Sequence, residues 1–151
     1  MIVSGTREFD AAREIVWSVI DDPAQMAGLM PGVEAFEVKD ARHWQAKVKV
    51  PLGLGGLKMT IDFEKLEERP PEFASMNAKG KGVGALMNMT TSFTLSGEGE
   101  HTSMAWEADV KIAGPVGSMG QRVLQPIVNQ QVGNVLTALE AKVAEAKAAA
   151  A

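Results

Sequence analysis

The chain has 151 residues, a formal net charge of −4 and a sequence pI of about 5.2. This length suits a single domain that can enclose a cavity, and the acidic balance gives no electrostatic reason to bind a nucleic-acid backbone. The absence of cysteine excludes disulfides, thiolate metal sites and a cysteine nucleophile, and it fits a reducing compartment.

The sequence lacks the usual signals for export and membrane insertion. No apolar run approaches the roughly 18 residues that a membrane span requires, and the first residues lack the basic and apolar regions of a secretion signal. We therefore expect a soluble, cytoplasmic protein.

The start of the chain predicts one strand and two short helices. Residues 2–9 are interpreted as a strand whose odd-numbered and even-numbered residues lie on opposite faces, with Phe9 turned inward. Asp10 is expected to cap a helix that ends at residues 21–23, and a shorter helix is expected over residues 25–29.

From residue 33 onward the hydrophobic period changes to two, as is typical of strands with one wet face. The clearest segment is 57–64, where apolar residues alternate with polar and charged ones. Further strands are expected near residues 33–38, 44–50, 74–78, 85–95 and 104–112. No linker or repeat divides these segments, so we expect one domain over residues 1–147 and a frayed alanine tail at 148–151.

A long helix is predicted from Pro115 to Lys147, because apolar residues recur there at steps of three and four. The stripe comprises Val116, Met119, Val123, Ile127, Val128, Val132, Val135, Leu139 and Val143. At about 1.5 Å per residue this helix is longer than a cap on a small core needs to be. The sheet is therefore expected to wrap around it.

The order of these elements predicts an α+β fold of the helix-grip type. A curved antiparallel sheet of about seven strands would wrap around the long C-terminal helix, and two short helices would follow the first strand. Such a sheet leaves space beside the helix, and the side chains expected to point there are nearly all apolar.

A pocket for an apolar small molecule is the resulting hypothesis. Methionine is abundant among the expected inner positions, and its flexible side chain suits sites for long or variable ligands. The predicted ligand-binding residues are Met59, Ile61, Phe63, Met76, Met87, Met89, Met104, Trp106, Met119, Val123 and Ile127.

Residues 51–57 form a glycine-rich turn that carries three leucines, where polar residues are usual. Leu52 and Leu54, together with Leu29 and Met30 at the end of the second short helix, are candidates for a gate over the cavity or for a partner or membrane contact. The alternative is that these side chains fold back onto the core.

The sequence offers little chemistry for catalysis. Its two histidines, His43 and His101, fall in predicted turns and lack metal-ligand spacing on a regular element, so no metal site is predicted. No nucleophile-elbow motif surrounds a serine. Arg7, Thr91 and Asn77 are the polar candidates for a site inside the cavity. We expect no catalytic residues and no cofactor.

Several short segments, in their order and spacing, carry a resemblance to a known family. They are Val16-Trp17, Ile20-Asp21-Asp22-Pro23, Met30-Pro31-Gly32-Val33, Trp44-Gln45-Ala46, the Gly53 region, Gly80-Lys81-Gly82 with Gly84, Thr102 to Asp109 around Trp106, and Gly114 with Met119-Gly120-Gln121-Arg122. Over nearly the whole chain the sequence resembles the carbon monoxide dehydrogenase G-subunit (CoxG-like) family, within the SRPBCC, START and Bet v 1-like helix-grip superfamily.

The resemblance implies a non-enzymatic accessory protein of molybdenum-containing, CO dehydrogenase-type hydroxylases, with a hydrophobic cavity for a lipid or isoprenoid quinone. It also implies a membrane link through a C-terminal extension in many members, whereas this sequence ends in a short tail of alanine, lysine and glutamate.

Three hypotheses follow. The first is a carrier that binds a lipid or quinone as a ligand rather than as a cofactor. The second is an adaptor that docks or recruits a CO dehydrogenase-like complex to the membrane without a ligand. The third is an enzyme of the polyketide cyclase or aromatase kind. The first two leave open a peripheral contact with the inner face of the membrane.

Overall fold

Seven antiparallel strands and three α-helices make up the protein, seen in a computed structural model that describes residues 1–50 and 56–150. The elements are β1 (Ile2–Phe9), α1 (Arg13–Ile20), α2 (Pro23–Gly28), β2 (Val33–Val38), β3 (His43–Val50), β4 (Leu57–Arg69), β5 (Phe73–Gly82), β6 (Ala85–Ser96), β7 (Thr102–Ala113), a 3-10 turn (Gly117–Met119) and α3 (Gln121–Ala150).

The strands form one antiparallel sheet in the order β1-β7-β6-β5-β4-β3-β2. Strands β2 to β7 are consecutive neighbours, as expected for a meander joined by short connections. Strand β1 pairs with β7 and forms the edge of the sheet opposite to β2. The predicted helix-grip architecture is confirmed, with two short helices after the first strand and the long helix at the C-terminal end of the chain.

The sheet has two distinct ends, which matter for the site. One end, here called the loop end, carries the α2–β2 connection, the β5–β6 turn and the β7–α3 connection. Two of these are tied together, because the Val116 N–H donates to the Gly84 carbonyl at 2.9 Å. At the opposite end lie the β2–β3, β4–β5 and β6–β7 turns and the last turns of α3, where the Lys147 ammonium donates to the Asp10 carbonyl at 2.6 Å.

The predicted start of the long helix is wrong. Residues 117–119 form a 3-10 turn, Gly120 adopts a φ of 86°, and the α-helix begins only at Gln121. Glycines at 114, 117 and 120 disfavour a continuous helix here, so the 3.6-residue period cannot be extended upstream. The helix continues through Ala150, and fraying of residues 148–151 stays a prediction.

The first helix also differs from its prediction. It begins at Arg13 after Ala12, which makes no side-chain cap, so the predicted Asp10 cap is wrong. By contrast, the Asp22 carboxylate accepts a hydrogen bond from the Ala24 N–H at 3.0 Å and caps α2.

Although α3 has 30 residues, neither it nor any other helix among residues 1–50 and 56–150 is apolar enough over a sufficient length to cross a bilayer.

The tightly packed part of the core lies toward the opposite end and under α1. Val16 and Val19 of α1 are fully buried there, together with Leu139 and Val143 of α3. An ion pair between Arg7 and Glu140, 2.8 Å apart, adds a polar link between β1 and α3. The second half of α3 is therefore fixed against the rest of the molecule.

Lys65 is an inward-facing charge that continues the inner set of Met59, Ile61 and Phe63 along β4. Its side chain is 9% exposed, and its ammonium donates to the Asp21 carbonyl at 2.6 Å and to the Asp21 carboxylate at 2.9 Å, with the Glu68 carboxylate at 3.2 Å. This cluster joins β4 to the end of α1. Both carboxylates remain partly exposed, so water also solvates them.

We expect Lys65→Ala to lower the free energy of unfolding by about 2 kcal/mol, because it removes the partner of two carboxylates and of a backbone carbonyl. Chemical denaturation measures the change. Lys58→Ala, at an exposed lysine of the same strand, serves as the control and should change stability by less than about 0.5 kcal/mol. Equal losses in both variants would contradict a structural role for the Lys65 cluster.

Candidate functional site

A cavity of about 210 Å³ lies between the inner face of the sheet and the first half of α3. Inner-face side chains of β3 to β7 form one wall, and side chains of α3 form the other, with Met26, Leu29 and Met30 closing in from α2 and the residues after it. On the inner face of β5, Ala78, Gly80 and Gly82 are small and leave space between the sheet and the helix.

Gly80 illustrates how the wall is built. A Cβ at this position would lie 3.0 Å from the Cε of Met59 and 3.3 Å from the Cε of Met87. The missing side chain thus provides the space into which two methionine tips reach. Because these tips are flexible, they can move when a ligand enters.

Eight of the predicted ligand-binding residues lie in the cavity wall, and whether they touch a ligand stays a prediction. They are Met59, Ile61, Phe63, Met76, Met87, Met89, Trp106 and Ile127.

Three predicted residues lie elsewhere. Met104 is fully buried in the packed core and does not reach the cavity. Met119 and Val123 are each 44% exposed. Met119 lies before Gly120 and outside α3, so the helical period does not reach it, whereas Val123 lies within α3 on a side of the helix that does not line the cavity. The face that meets the cavity instead includes Leu124 and runs on through Ile127.

The four gate candidates fall into two pairs: two line the cavity, and two are not described by the structure. Leu29 is 3% exposed and, with Met30, lines the cavity, so Leu29 offers no free surface to a partner. Its apolar side chain is covered because α2 packs directly over the sheet edge. Leu52 and Leu54 lie outside the described residues, and their role stays a prediction.

Sequence reasoning missed several cavity residues, among them Trp44 and Gln131. Strand alternation could have identified Trp44, which shares the inner parity of Ala46 and Val48. It stacks on Phe63 with ring centroids 5.4 Å apart. Helical spacing could have identified Gln131, which lies four residues from Ile127.

The cavity contains a few polar atoms in otherwise apolar surroundings. Among the described residues, the buried side-chain polar atoms without a hydrogen-bond partner are Trp44 Nε1, Thr91 Oγ1 and Trp106 Nε1, and all three residues line the cavity. Gln131, a half-buried residue of α3, also lines it. A buried polar group without a partner costs about 1–3 kcal/mol, so three together require an explanation.

Two of these residues are diagonal neighbours on the sheet. Thr91 pairs with Ala108 and Phe93 pairs with Trp106, which puts Thr91 and Trp106 at diagonal positions on the inner face of β6 and β7. The indole lies over Gly5 of β1, where a Cβ would be 3.0 Å from the Trp106 Cζ2 and 3.4 Å from its Nε1, so the indole N–H lies on the β1 side of β7 and Thr91 on the β6 side. An indole N–H and a hydroxyl can both donate, so this corner suits a ligand with acceptor atoms.

Ionisable groups lie outside the cavity. Its described lining includes no aspartate, glutamate, histidine, lysine or arginine, and no cluster of potential metal ligands occurs among residues 1–50 and 56–150. The one clear pKa shift belongs to Asp40 in the β2–β3 turn. Its pKa is lowered by the backbone N–H of Arg42 and by the nearby His43.

The three polar candidates for catalysis do not converge. Arg7 pairs with Glu140, and the Asn77 amide donates to the Asn88 side chain at 2.9 Å and to the Met89 carbonyl. Thr91 alone among them lines the cavity. The cavity therefore offers binding groups rather than an acid–base pair.

A family model for CoxG, described as the G subunit of carbon monoxide dehydrogenase, matches residues 5–144. No functionally curated protein matches the sequence.

Among solved structures, a conserved protein from Geobacillus kaustophilus aligns with a TM-score of 0.87 at 19% identity, covering 96% of each chain. A START superfamily protein from Mycobacterium smegmatis aligns with a TM-score of 0.73 at 15% identity, covering 95% of this chain and 97% of the other. Zhui aromatase/cyclase from Streptomyces sp. R1128 gives a TM-score of 0.70 at 15% identity, covering 95% and 93%. These likenesses show a shared START-like fold.

The amide on the cavity wall generates a stability prediction. We expect Gln131→Leu to raise the free energy of unfolding of the ligand-free protein by about 1 kcal/mol, because it replaces a polar group on an apolar wall. Gln130→Leu, exposed on the same helix, should change it by less than about 0.5 kcal/mol. Thermal or chemical denaturation of both variants checks this, and a loss of stability in Gln131→Leu alone would contradict it.

Proposed function

Because the chain belongs to the CoxG family of carbon monoxide dehydrogenase G subunits, we propose that it is a non-enzymatic carrier for an isoprenoid quinone or a similar carbonyl-bearing lipid. The ligand occupies the cavity under the sheet and is cargo rather than a cofactor. The proposed partner is a molybdenum-containing hydroxylase of the CO dehydrogenase type, in keeping with the description of the family.

The single observation that carries the choice of ligand is the set of unpartnered donors in an apolar cavity. Trp106 and Thr91 occupy diagonal inner positions on β7 and β6, and Trp44 lines the same space. A plain hydrocarbon would leave these groups unpaired, whereas the carbonyl oxygens of a quinone ring can accept hydrogen bonds from them. The remaining walls suit an isoprenoid tail.

The cavity is small, so a ligand would either insert only part of its length or displace side chains as it enters. At about 210 Å³ it is smaller than the roughly 300 Å³ at which ordinary ligand pockets begin. Met59, Met76, Met87 and Met89 line it and can change rotamer to make room. Each buried isoprene unit, about 100 Å² of apolar surface, contributes on the order of 2.5 kcal/mol before the losses of association.

A second candidate is the adaptor that docks a CO dehydrogenase-like complex without a ligand. It is favoured by Val83, which is 92% exposed at the loop end. With Leu86, which is 54% exposed three residues further on, it forms a small apolar surface of the kind that partner contacts use. The adaptor gives no reason for unpartnered donors inside the cavity, so the carrier is preferred. A cyclase activity is not proposed, because the described lining lacks an acid–base group.

The test uses a quinone with one isoprene unit and an alkylbenzene of similar length that lacks carbonyl groups. We expect Thr91→Val and Trp106→Phe each to weaken quinone binding about fivefold, the value of one hydrogen bond of about 1 kcal/mol. Neither variant should weaken alkylbenzene binding by a comparable factor. Isothermal titration calorimetry measures both ligands.

Trp17→Phe is the matched control, since Trp17 lies on α1 away from this cavity and the variant should bind both ligands like the parent protein. If the parent protein binds neither compound, the carrier proposal fails. If it binds both and the two cavity variants discriminate no better than the control, the ligand is held by apolar contact alone and the carbonyl assignment fails.

A further inference from the structure

A second, smaller cavity of about 20 Å³ adjoins the main one on the side away from the loop end. It lies between the inner face of β4 to β6 and the junction of α1 and α2, where Trp17, Ile20 and Asp21 cover it. Its volume is about that of one water molecule or one methyl group. It can therefore receive a small group of a side chain, but it cannot hold a ligand of its own.

Four side chains line both cavities and so lie between them. They are Met26, Trp44, Met76 and Phe93. Two of them carry rigid aromatic rings, and Met26 is buried in the packed core under α2. Met76 is half-buried on β5, and its unbranched side chain has three rotatable bonds. Met76 is therefore the member of this boundary that can move most readily.

Strand register places Met76 between the two cavities. It pairs with Thr91 of β6 on one side and with Lys65 of β4 on the other. Directly paired residues share a face of the sheet, with Cβ atoms about 5 Å apart. Thr91 lines the main cavity, and Lys65 lines the second one. Met76 thus separates the Thr91 side of the main cavity from the space beyond it.

The other methionines of the main cavity are placed differently. The tips of Met59 and Met87 reach into the space that Gly80 leaves, within 3.0 and 3.3 Å of a Cβ at that position. Among the described residues, neither of these two methionines lines the second cavity, and neither does Met89. Met76 differs from them because a space the size of its own methyl group lies on its far side.

The polar groups around the second cavity are already paired. The Lys65 ammonium donates to the Asp21 carbonyl and contacts the carboxylates of Asp21 and Glu68. The Ser75 hydroxyl accepts a hydrogen bond from the Glu67 N–H at 3.2 Å. Most of the remaining lining is apolar. A buried water makes about three hydrogen bonds, so the space suits the methyl group of a methionine better than a water molecule.

We propose that Met76 is a specificity-determining residue that sets which rings the cavity accepts. Its side chain rotates into the second cavity when a ligand with a substituted ring enters, and the main cavity gains the room that it leaves. This inference rests on the proposed function, which places a carbonyl-bearing ring beside Thr91, the direct neighbour of Met76. The space released is methyl-sized, so Met76 controls the tolerance for methyl-sized ring substituents rather than for the length of the tail.

The test compares two benzoquinones that each carry one isoprene unit. One has no other ring substituent, and the other has three ring methyl groups. The parent protein should bind both. Met76→Ile keeps the volume, but its branched side chain cannot rotate away. It should lower the affinity for the trimethyl compound relative to the unsubstituted one about tenfold, because the added methyl groups then enter filled space. Met76→Ala leaves that space open and should not lower this ratio. Isothermal titration calorimetry measures all affinities.

Met87→Ile is the matched control, since Met87 lines the main cavity nearer to the loop end. It should change the ratio by less than about threefold, because the tail is common to both compounds. The NMR signal of the Met76 Cε methyl group gives a direct readout. Adding the trimethyl compound should produce nuclear Overhauser contacts from this methyl group to Trp17 and Ile20, which line the second cavity.

An equal fall of the ratio in Met76→Ile and Met87→Ile would overturn the proposal, since any stiff side chain in the wall would then have the same effect. Absence of the new contacts to Trp17 and Ile20 would also overturn it. A parent protein that binds the unsubstituted compound but excludes the trimethyl one would refute the movement of Met76 and leave the carrier function intact. A parent protein that binds neither compound would refute the carrier function and, with it, this role of Met76.

Discussion

The structure depends on the incomplete closure of the sheet against the C-terminal helix. The second half of α3 is fixed by Leu139 and Val143 in the core and by the Arg7–Glu140 ion pair. The first half faces the cavity, where Val128 and Val132 remain only partly buried. One rigid element thus serves both as a core helix and as the wall of a binding space. Because the second half of α3 is fixed, only the first half can shift when a ligand enters the cavity.

Such a gap is energetically unfavourable compared with a core in which the sheet and the helix pack directly against each other. An apolar void forfeits dispersion contacts along its lining, and the unpartnered donors of Thr91 and Trp106 lose their hydration. Replacing these donors by apolar groups would relieve that cost without changing the fold. Their presence therefore favours a ligand that restores both the contacts and the hydrogen bonds, which is the physical basis for choosing a carbonyl-bearing molecule.

The architecture could be predicted well from the sequence because alternation in a sheet with one wet face reports directly on burial. Met59, Ile61 and Phe63 were predicted on the inner face from their period alone, as the structure has them. The prediction failed at Met119 because a helical period was extended through glycines that precede the helix, and at Val123 because the inner side of the first turn of α3 carries Leu124 instead. The partners of Lys65 and the lack of partners for the indole nitrogens depend on segments distant in sequence, so no local pattern could reveal them.

The lysines on the outer face of the sheet and the residues of the cavity are linked through strand register. Lysines on the outer positions of β3 to β5 are visible in the sequence, but strand register decides that Lys49 lies beside Lys58 and that Thr60 lies between Lys47 and Lys81. The same register sets the inner residues that bound the cavity, because inner and outer positions alternate along each strand. A shift of one residue in β4 or β5 would exchange Lys58 or Lys81 with inner-face residues. The basic surface and the apolar cavity are therefore fixed by a single pairing pattern, and neither can be lost by slippage without the other.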